Sequence, residues 1–110
     1  MLLIMPSCKP CLALNAEALA DSIYLAEGGT GASKPYGIMK DYCFKGNEKQ
    51  CRKGCIQTVE KWRKRWSGLN HRDFIDKFGD IYASTRGASN DPNNLNRNWK
   101  RNVLYFYEHP

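Results

Sequence analysis

The sequence lacks several features that would place it in a common class of protein. No stretch approaches the roughly 18 consecutive apolar residues needed to cross a bilayer, so the sequence predicts no membrane span. It contains neither a phosphate-binding loop nor a dinucleotide-binding fingerprint. Its two histidines, His71 and His109, have no partner at metal-ligand spacing and no neighbouring nucleophile. We therefore expect no cofactor, and no metal site built on histidine.

Cysteines are few, and their odd number, five, leaves at least one thiol unpaired within the chain. Cys8 and Cys11 form a single C-x-x-C, which together with Cys43 or Cys51 has the composition of a zinc site, although no second such pair follows. In an exported protein we expect instead one disulfide, from Cys43 to Cys51 or to Cys55. Cys51 and Cys55 lie one helical turn apart and are not expected to pair with each other.

The length and charge of the chain fit one small basic domain. We assign residues 15–110 to this domain and residues 1–14 to an N-terminal arm or the remnant of a secretion signal. Seventeen Lys and Arg against eleven Asp and Glu give a net charge of +6. That balance suits a polyanionic partner, whether nucleic acid, an anionic membrane surface or an anionic cell wall.

Apolar residues recur at helical spacing in four segments, and no segment of useful length alternates with the period of a strand. The sequence therefore predicts an all-α fold, with at most a short irregular hairpin near residues 30–44. The first helix is expected from about Ala16 to Glu27, with Asn15 as its N-cap and Gly28-Gly29 as its end.

The other three helices are predicted from their apolar stripes. The second follows Asn47, and its buried stripe consists of Cys51, Cys55, Val59, Trp62 and Trp66. The third starts near Asn70 and presents Phe74, Phe78, Ile81 and Tyr82. After a loop over residues 84–90, Asp91-Pro92 begins the last helix, whose apolar face carries Leu95, Trp99, Val103 and Phe106.

Glu27 is the carboxyl group whose position favours a chemical role. Glycoside cleavage needs a carboxylic acid that donates a proton to the leaving oxygen, and a partly apolar site raises the pKa of such a group. Glu27 ends an apolar helix, where the macrodipole disfavours a negative charge. We therefore expect its pKa to be raised.

The segment Glu27-Gly28-Gly29, followed by Lys34-Pro35-Tyr36-Gly37-Ile38-Met39, resembles the core of the soluble lytic transglycosylase and goose-type lysozyme superfamily. The resemblance spans about residues 15 to 107 and continues in three later segments, Phe74-Ile75 through Tyr82-Ala83, Asn90-Asp91-Pro92 and Leu95-Asn96-Arg97-Asn98-Trp99. The sequence departs from the family at Gly28, where Ser is usual, and at Lys40, where Gln is usual. The interval from Glu27 to Gly37 is also shorter than in most members.

The resemblance implies a mainly helical lysozyme-like domain that cleaves peptidoglycan glycan strands as a lytic transglycosylase or a muramidase. Glu27 would be the general acid and then the general base, and Tyr82 would orient it or contact the sugar. The floor of the cleft would consist of Tyr36, Gly37, Ile38 and Met39. The resemblance also implies a periplasmic or secreted enzyme, or one that a phage encodes for lysis.

Two further features concern the substrate. Asn96 is a candidate for binding sugar hydroxyls, because asparagine is unusual inside a helix and its amide can both donate and accept. No second carboxylate is singled out among Asp41, Asp80 and Asp91. The resemblance implies a mechanism with a single acid, in which the hydroxymethyl group of the muramic acid attacks internally, and hydrolysis by an activated water is the alternative.

Other functions compete with glycan cleavage. Trp62-Arg63-Lys64-Arg65-Trp66 interleaves cations with aromatic rings, as nucleic-acid-binding modules do. A cell-wall-binding or interaction protein without catalysis is a further alternative. Because both tryptophans belong to the stripe predicted to be buried, we expect no specific nucleic acid as a partner. The resemblance implies peptidoglycan glycan strands as the partner instead. We expect the chain to be a monomer.

Overall fold

The computed structural model of the protein describes residues 14–82 and 95–110, except for the side chains of residues 95 and 96. These ranges contain four helices: α1 (Ala16–Ala26), α2 (Glu48–Arg65), α3 (His71–Tyr82) and α4 (Leu95–Glu108). Helix α1 packs against α2 and α4, and α3 packs against α4. The described residues form no strand, which confirms the predicted all-α class.

The connection between α1 and α2 does not form the short hairpin considered for residues 30–44. It contains two 3-10 turns instead, Gly29–Gly31 and Pro35–Gly37. Within the second turn, Tyr36 has φ 62° and Gly37 has φ 69°. Two successive residues in the left-handed region turn the chain sharply, and an extended strand cannot accommodate them.

Helix α1 begins where its cap was predicted. The side chain of Asn15 accepts a hydrogen bond of 2.9 Å from the backbone N–H of Ala18, as an N-cap asparagine should. Leu19 and Ile23 are fully buried on its inner face. The helix ends one residue earlier than predicted, so that Glu27 is its C-cap and Gly28, with φ 111°, reverses the chain.

The apolar stripe of α2 is buried over most of its length. Cys51, Cys55 and Val59 are inaccessible to solvent. Trp62 and Trp66, which were also predicted to be buried, are only partly buried and pack against the core at the end of the helix.

The start of α2 also differs from the prediction in its cap. Asn47 immediately precedes the helix, but its side chain makes no capping hydrogen bond. Its amide nitrogen donates instead to the carbonyl of Tyr42, at 2.6 Å. The amide thus stabilises the preceding loop, in which asparagine side chains commonly bond to nearby backbone.

Helices α3 and α4 supply the other half of the core. Asn70 caps α3 by accepting from the N–H of Asp73 at 2.8 Å. Phe74 and Phe78 are buried as predicted, whereas Ile81 is 43% exposed and does not belong to the core. Of the described side chains of α4, Trp99 and Val103 are buried and Phe106 is partly buried. The side chain of Leu95, also predicted on this face, lies outside the described part of the structure.

One disulfide, between Cys43 and Cys51, fastens the long connection to α2. It confirms one of the two pairings predicted for Cys43 and leaves Cys55 as a buried free thiol. Since Cys43 and Cys51 are bonded to each other, neither is available to complete a zinc site with the C-x-x-C pair, which itself lies outside the described residues. The part of the chain that the structure describes contains no cluster of metal ligands.

Removing this disulfide should lower the stability of the fold. The bond joins residues separated by 8 positions, and closing so short a loop stabilises a protein by about 2–3 kcal/mol in the chain-entropy model. We expect the double variant Cys43→Ala/Cys51→Ala to lose that amount in urea unfolding monitored by circular dichroism. A reductant should destabilise the wild type and leave the double variant unchanged. Equal stability of the two oxidised proteins would contradict the prediction.

Three predictions involve residues outside the described ranges. These are the N-terminal arm, of which only Leu14 is described and is buried in the core, the loop over residues 84–90, and the helix start at Asp91-Pro92. Among the helices that the structure describes, none is long and apolar enough to cross a membrane.

Candidate active site

The carboxyl group of Glu27 lies where the end of α1 meets α4. Its Oε2 accepts a hydrogen bond of 2.7 Å from the indole N–H of Trp99. Glu27 is partly exposed, and burial of its carboxyl raises the pKa, while the Trp99 hydrogen bond lowers it by a smaller amount. The net direction is upward, as predicted, although the cause is desolvation.

Gly37 brings the chain backbone directly against this carboxyl group. A Cβ atom at position 37 would lie 2.5 Å from Oε2 and 3.0 Å from Oε1 of Glu27, which is closer than nonbonded atoms approach. The φ of 69° at Gly37 is also one that L-amino acids with side chains rarely adopt. Glycine is thus favoured at position 37 for two independent reasons, its conformation and its contact with Glu27.

Tyr36 is held in its unusual conformation by a hydrogen bond from α3. The hydroxyl of Tyr82 donates to the carbonyl of Tyr36 at 2.6 Å. The ring of Tyr36 is 4% exposed and packs against the ring of Tyr24, with centroids 5.0 Å apart. Burial raises the pKa of Tyr36 to about 12, so this phenol stays neutral. Its buried ring anchors the turn Pro35–Gly37 to the core.

A stack of aromatic rings links α3 to the tryptophan that contacts Glu27. Phe78 stacks on Phe74 at 5.3 Å and on Tyr82 at 5.1 Å, and Tyr82 stacks on Trp99 at 5.7 Å. Residues four apart on a helix lie on the same face, so the spacing of Phe74, Phe78 and Tyr82 produces this stack. The stack orients the ring of Trp99 and therefore the direction of its N–H.

Cys55 of α2 completes the buried side of the site. Its thiol interacts with the Tyr82 hydroxyl, and burial raises the pKa of Cys55 to about 11. Burial likewise raises the pKa of Tyr82, and the neighbouring thiol adds to that shift. Both groups are therefore neutral in the range in which a glutamic acid titrates.

The structure brings together four of the predicted site residues: Glu27, Tyr36, Gly37 and Tyr82. The hydroxyl of Tyr82 donates to the Tyr36 carbonyl, and its predicted roles, orienting Glu27 or contacting the sugar, stay predictions. Of the remaining members of the predicted cleft floor, Ile38 packs against the core and Met39 is 76% exposed. Asn96 lies in the first turn of α4, but its side chain is outside the described part of the structure.

Trp99 is the site residue that sequence reasoning missed. Its burial was predicted from the apolar face of the last helix and is confirmed, at 7% exposure. A buried tryptophan normally needs an acceptor for its N–H, and this requirement was the signal that pointed to a polar partner. The identity of that partner depends on how α4 docks on α1, which the sequence pattern does not specify.

Taken together, these residues hold the protonatable carboxyl group of Glu27 between α1 and α4. Such a group can transfer a proton to a leaving oxygen and later remove one from an attacking hydroxyl. No protein-family model, characterised protein or solved structure that we compared matches this chain. The functional argument therefore depends on the geometry of the site itself.

Proposed function

We propose that the protein cleaves the glycan strands of peptidoglycan, with Glu27 as the general acid. The observation that carries this proposal is the partly exposed carboxyl of Glu27, fixed by Trp99 and by the backbone of Gly37, with a pKa raised by burial. A raised pKa keeps the acid protonated in mildly acidic conditions, as protonation of a leaving group requires.

In the proposed reaction, one group handles both protons. Glu27 donates its proton to the glycosidic oxygen as the bond from that oxygen to the anomeric carbon of the muramic acid breaks. The carboxylate then removes the proton of the hydroxymethyl group of the same sugar, whose oxygen forms a new bond to the anomeric carbon. The products are an anhydro sugar and a new chain end, and Glu27 is protonated again. If water is the attacking group, the same steps give a reducing-end sugar.

The surroundings of the other acidic side chains support a mechanism with one carboxyl group. Asp80 is paired with Lys100 of α4 at 2.6 Å, and Asp41 is exposed in the connection between α1 and α2. Asp91 is outside the described residues. Retaining glycosidases place two carboxyl groups about 5–5.5 Å apart, whereas the described polar partner of Glu27 is the indole of Trp99.

The contacts of the exposed basic end of α2 weigh against nucleic-acid binding. Trp62 and Trp66 pack against each other, with centroids 4.7 Å apart. Lys61 and Arg65 lie over the ring of Trp62, and Lys77 of α3 lies over that of Trp66. These contacts occupy ring faces that base stacking would need. The cations remain available to the anionic groups of a cell wall.

The disulfide supports a location outside the reducing cytosol. Disulfides persist in the periplasm and in secreted proteins and are rare in the cytosol. We accordingly propose that the protein is a periplasmic or secreted enzyme. A lysis protein encoded by a phage is one form that such an enzyme takes. We also propose that the enzyme acts as a monomer.

The proposal is tested by the products that the purified protein releases from peptidoglycan. Mass spectrometry of the soluble muropeptides should show anhydro-muramic ends for a transglycosylase, or reducing ends for a muramidase. Glu27→Gln, purified in parallel, is the matched control and should release neither. If the folded wild type releases no muropeptides, the protein does not cleave peptidoglycan. Tight binding to the same material without release would identify a cell-wall-binding protein instead.

A further inference from the structure

We propose that Trp99 is a positioning residue for Glu27. The indole N–H of Trp99 donates a hydrogen bond to Oε2 of Glu27, so that the transferable proton is carried by Oε1. This inference rests on the proposed function for its catalytic meaning. Its structural part, the assignment of the proton to one oxygen, concerns only the Trp99–Glu27 pair and can be measured without a substrate.

The argument starts from the chemistry of the two groups in the hydrogen bond. An indole N–H is a donor and never an acceptor, so Oε2 of Glu27 must accept in the 2.7 Å contact. In a neutral carboxylic acid the carbonyl oxygen is a better acceptor than the hydroxyl oxygen. The protonated form of Glu27 is therefore stabilised with its hydroxyl at Oε1 and its carbonyl at Oε2.

The surroundings of both residues position the pair. The carboxyl group of Glu27 fills the space that a side chain at position 37 would need, since a Cβ there would lie 2.5 Å from Oε2 and 3.0 Å from Oε1. On the other side, Trp99 is buried and stacks on Tyr82, which is itself bonded to the Tyr36 carbonyl next to Gly37. The same hydrogen-bonded segment thus holds the acid and, through Tyr82, the donor that orients it.

Groups that titrate near Glu27 do not interfere with this assignment. Among the described residues, Tyr82 of α3 and Cys55 of α2 have pKa values that the charge of Glu27 helps to raise. Both have pKa values raised by burial and remain neutral while Glu27 titrates. The facing group on α4 is Trp99, which carries no charge. None of these three side chains therefore changes its charge while Glu27 titrates.

The test removes the N–H of Trp99 and keeps its ring. Site-specific incorporation of 3-benzothienylalanine at position 99 replaces the indole nitrogen by sulfur and preserves the shape of the side chain. Trp99→Phe is a second, genetically simpler variant, and Trp62→Phe is the matched control, because Trp62 packs against Trp66 away from Glu27. The readouts are the titration of the Glu27 carboxyl carbon by NMR, the pH profile of muropeptide release, and the thermal midpoint.

We expect the pKa of Glu27 to rise further when the N–H is lost, because the hydrogen bond stabilises the carboxylate. The alkaline limb of the pH profile should move in the same direction, and turnover at the optimum should fall about tenfold, the scale of one hydrogen bond to a charged group. Trp62→Phe should change neither quantity. A purely structural role for Trp99 would lower the thermal midpoint without moving the titration.

The outcomes separate this inference from the proposed function. An unchanged Glu27 titration in the folded benzothienylalanine protein overturns the role of Trp99, whatever the activity. A shifted titration in the variant, together with a folded wild type that releases no muropeptides, supports the role of Trp99 and overturns the proposed reaction instead.

Discussion

Glu27→Gln is expected to lower the rate of muropeptide release about a hundredfold or more, the usual scale for the loss of a general acid. Glutamine has nearly the size of glutamic acid, and its amide oxygen can still accept the hydrogen bond from Trp99. It has no transferable proton at any pH used for the assay. The substitution therefore removes the proposed chemistry while the packing of α1 against α4 is retained.

The control for this variant is its stability as a function of pH. The folded-state pKa of Glu27 is raised, so folding favours its protonated form, and that contribution is lost as pH rises through the raised pKa. Glutamine resembles the protonated form at every pH. The relevant pH range lies between the ordinary pKa of glutamate in the unfolded chain and the raised pKa in the folded protein. As pH rises through this range, we expect the wild type to become less stable relative to Glu27→Gln. We expect its muropeptide release to fall over the same range. Undiminished release by the variant would remove Glu27 from the mechanism.

Gly37→Ala is expected to lower turnover by about a hundredfold, the effect of displacing a catalytic group by about 1 Å. The added Cβ would occupy a position 2.5 Å from Oε2 of Glu27. Because the carboxyl is the end of a flexible side chain, it should move away rather than unfold the protein. The movement separates Oε2 from the N–H of Trp99 and misplaces the acid.

Gly46→Ala provides a matched control for this variant. Gly46 also has a positive φ, 104°, but a Cβ at that position would meet no atom within 4 Å. Both alanine variants should therefore lose about 1–2 kcal/mol of stability from the left-handed backbone conformation. Only Gly37→Ala should also lose activity. Equal activity of the two variants, measured by muropeptide release at matched stability, would show that the contact with Glu27 has no role in turnover.

The sequence predicted those parts of the fold that depend on local interactions. The cap at Asn15, the turn after Glu27 and the buried positions Cys51, Cys55 and Val59 each follow from a few neighbouring residues. The burial predicted at the end of α2 is only partial, because Trp62 and Trp66 pack against the core and stay partly exposed. The period of α2 continues through Trp62, but the number of turns that the other helices cover is a property of their packing.

The site was predictable to a similar extent. The position of Glu27 at a helix end is local, and its relation to Gly37 came from the resemblance to the lytic transglycosylase superfamily. The donor from Trp99 and the bond from Tyr82 to Tyr36 join residues from different helices. Which of several buried aromatic residues contacts a given polar group depends on docking angles, and these were not determined by the apolar pattern.

The long sequence separations within the site have a consequence for the order of folding. The bond between Tyr82 and Tyr36 spans 46 positions, and that between Trp99 and Glu27 spans 72. Contacts of such range form late, because the entropy of closing the chain must be offset first. Because α4 contributes to the burial that raises the pKa of Glu27, we expect this pKa to be less raised until α4 docks. We also expect local opening of α4 to weaken the acid's role, which would couple the proposed lytic chemistry to completion of the fold.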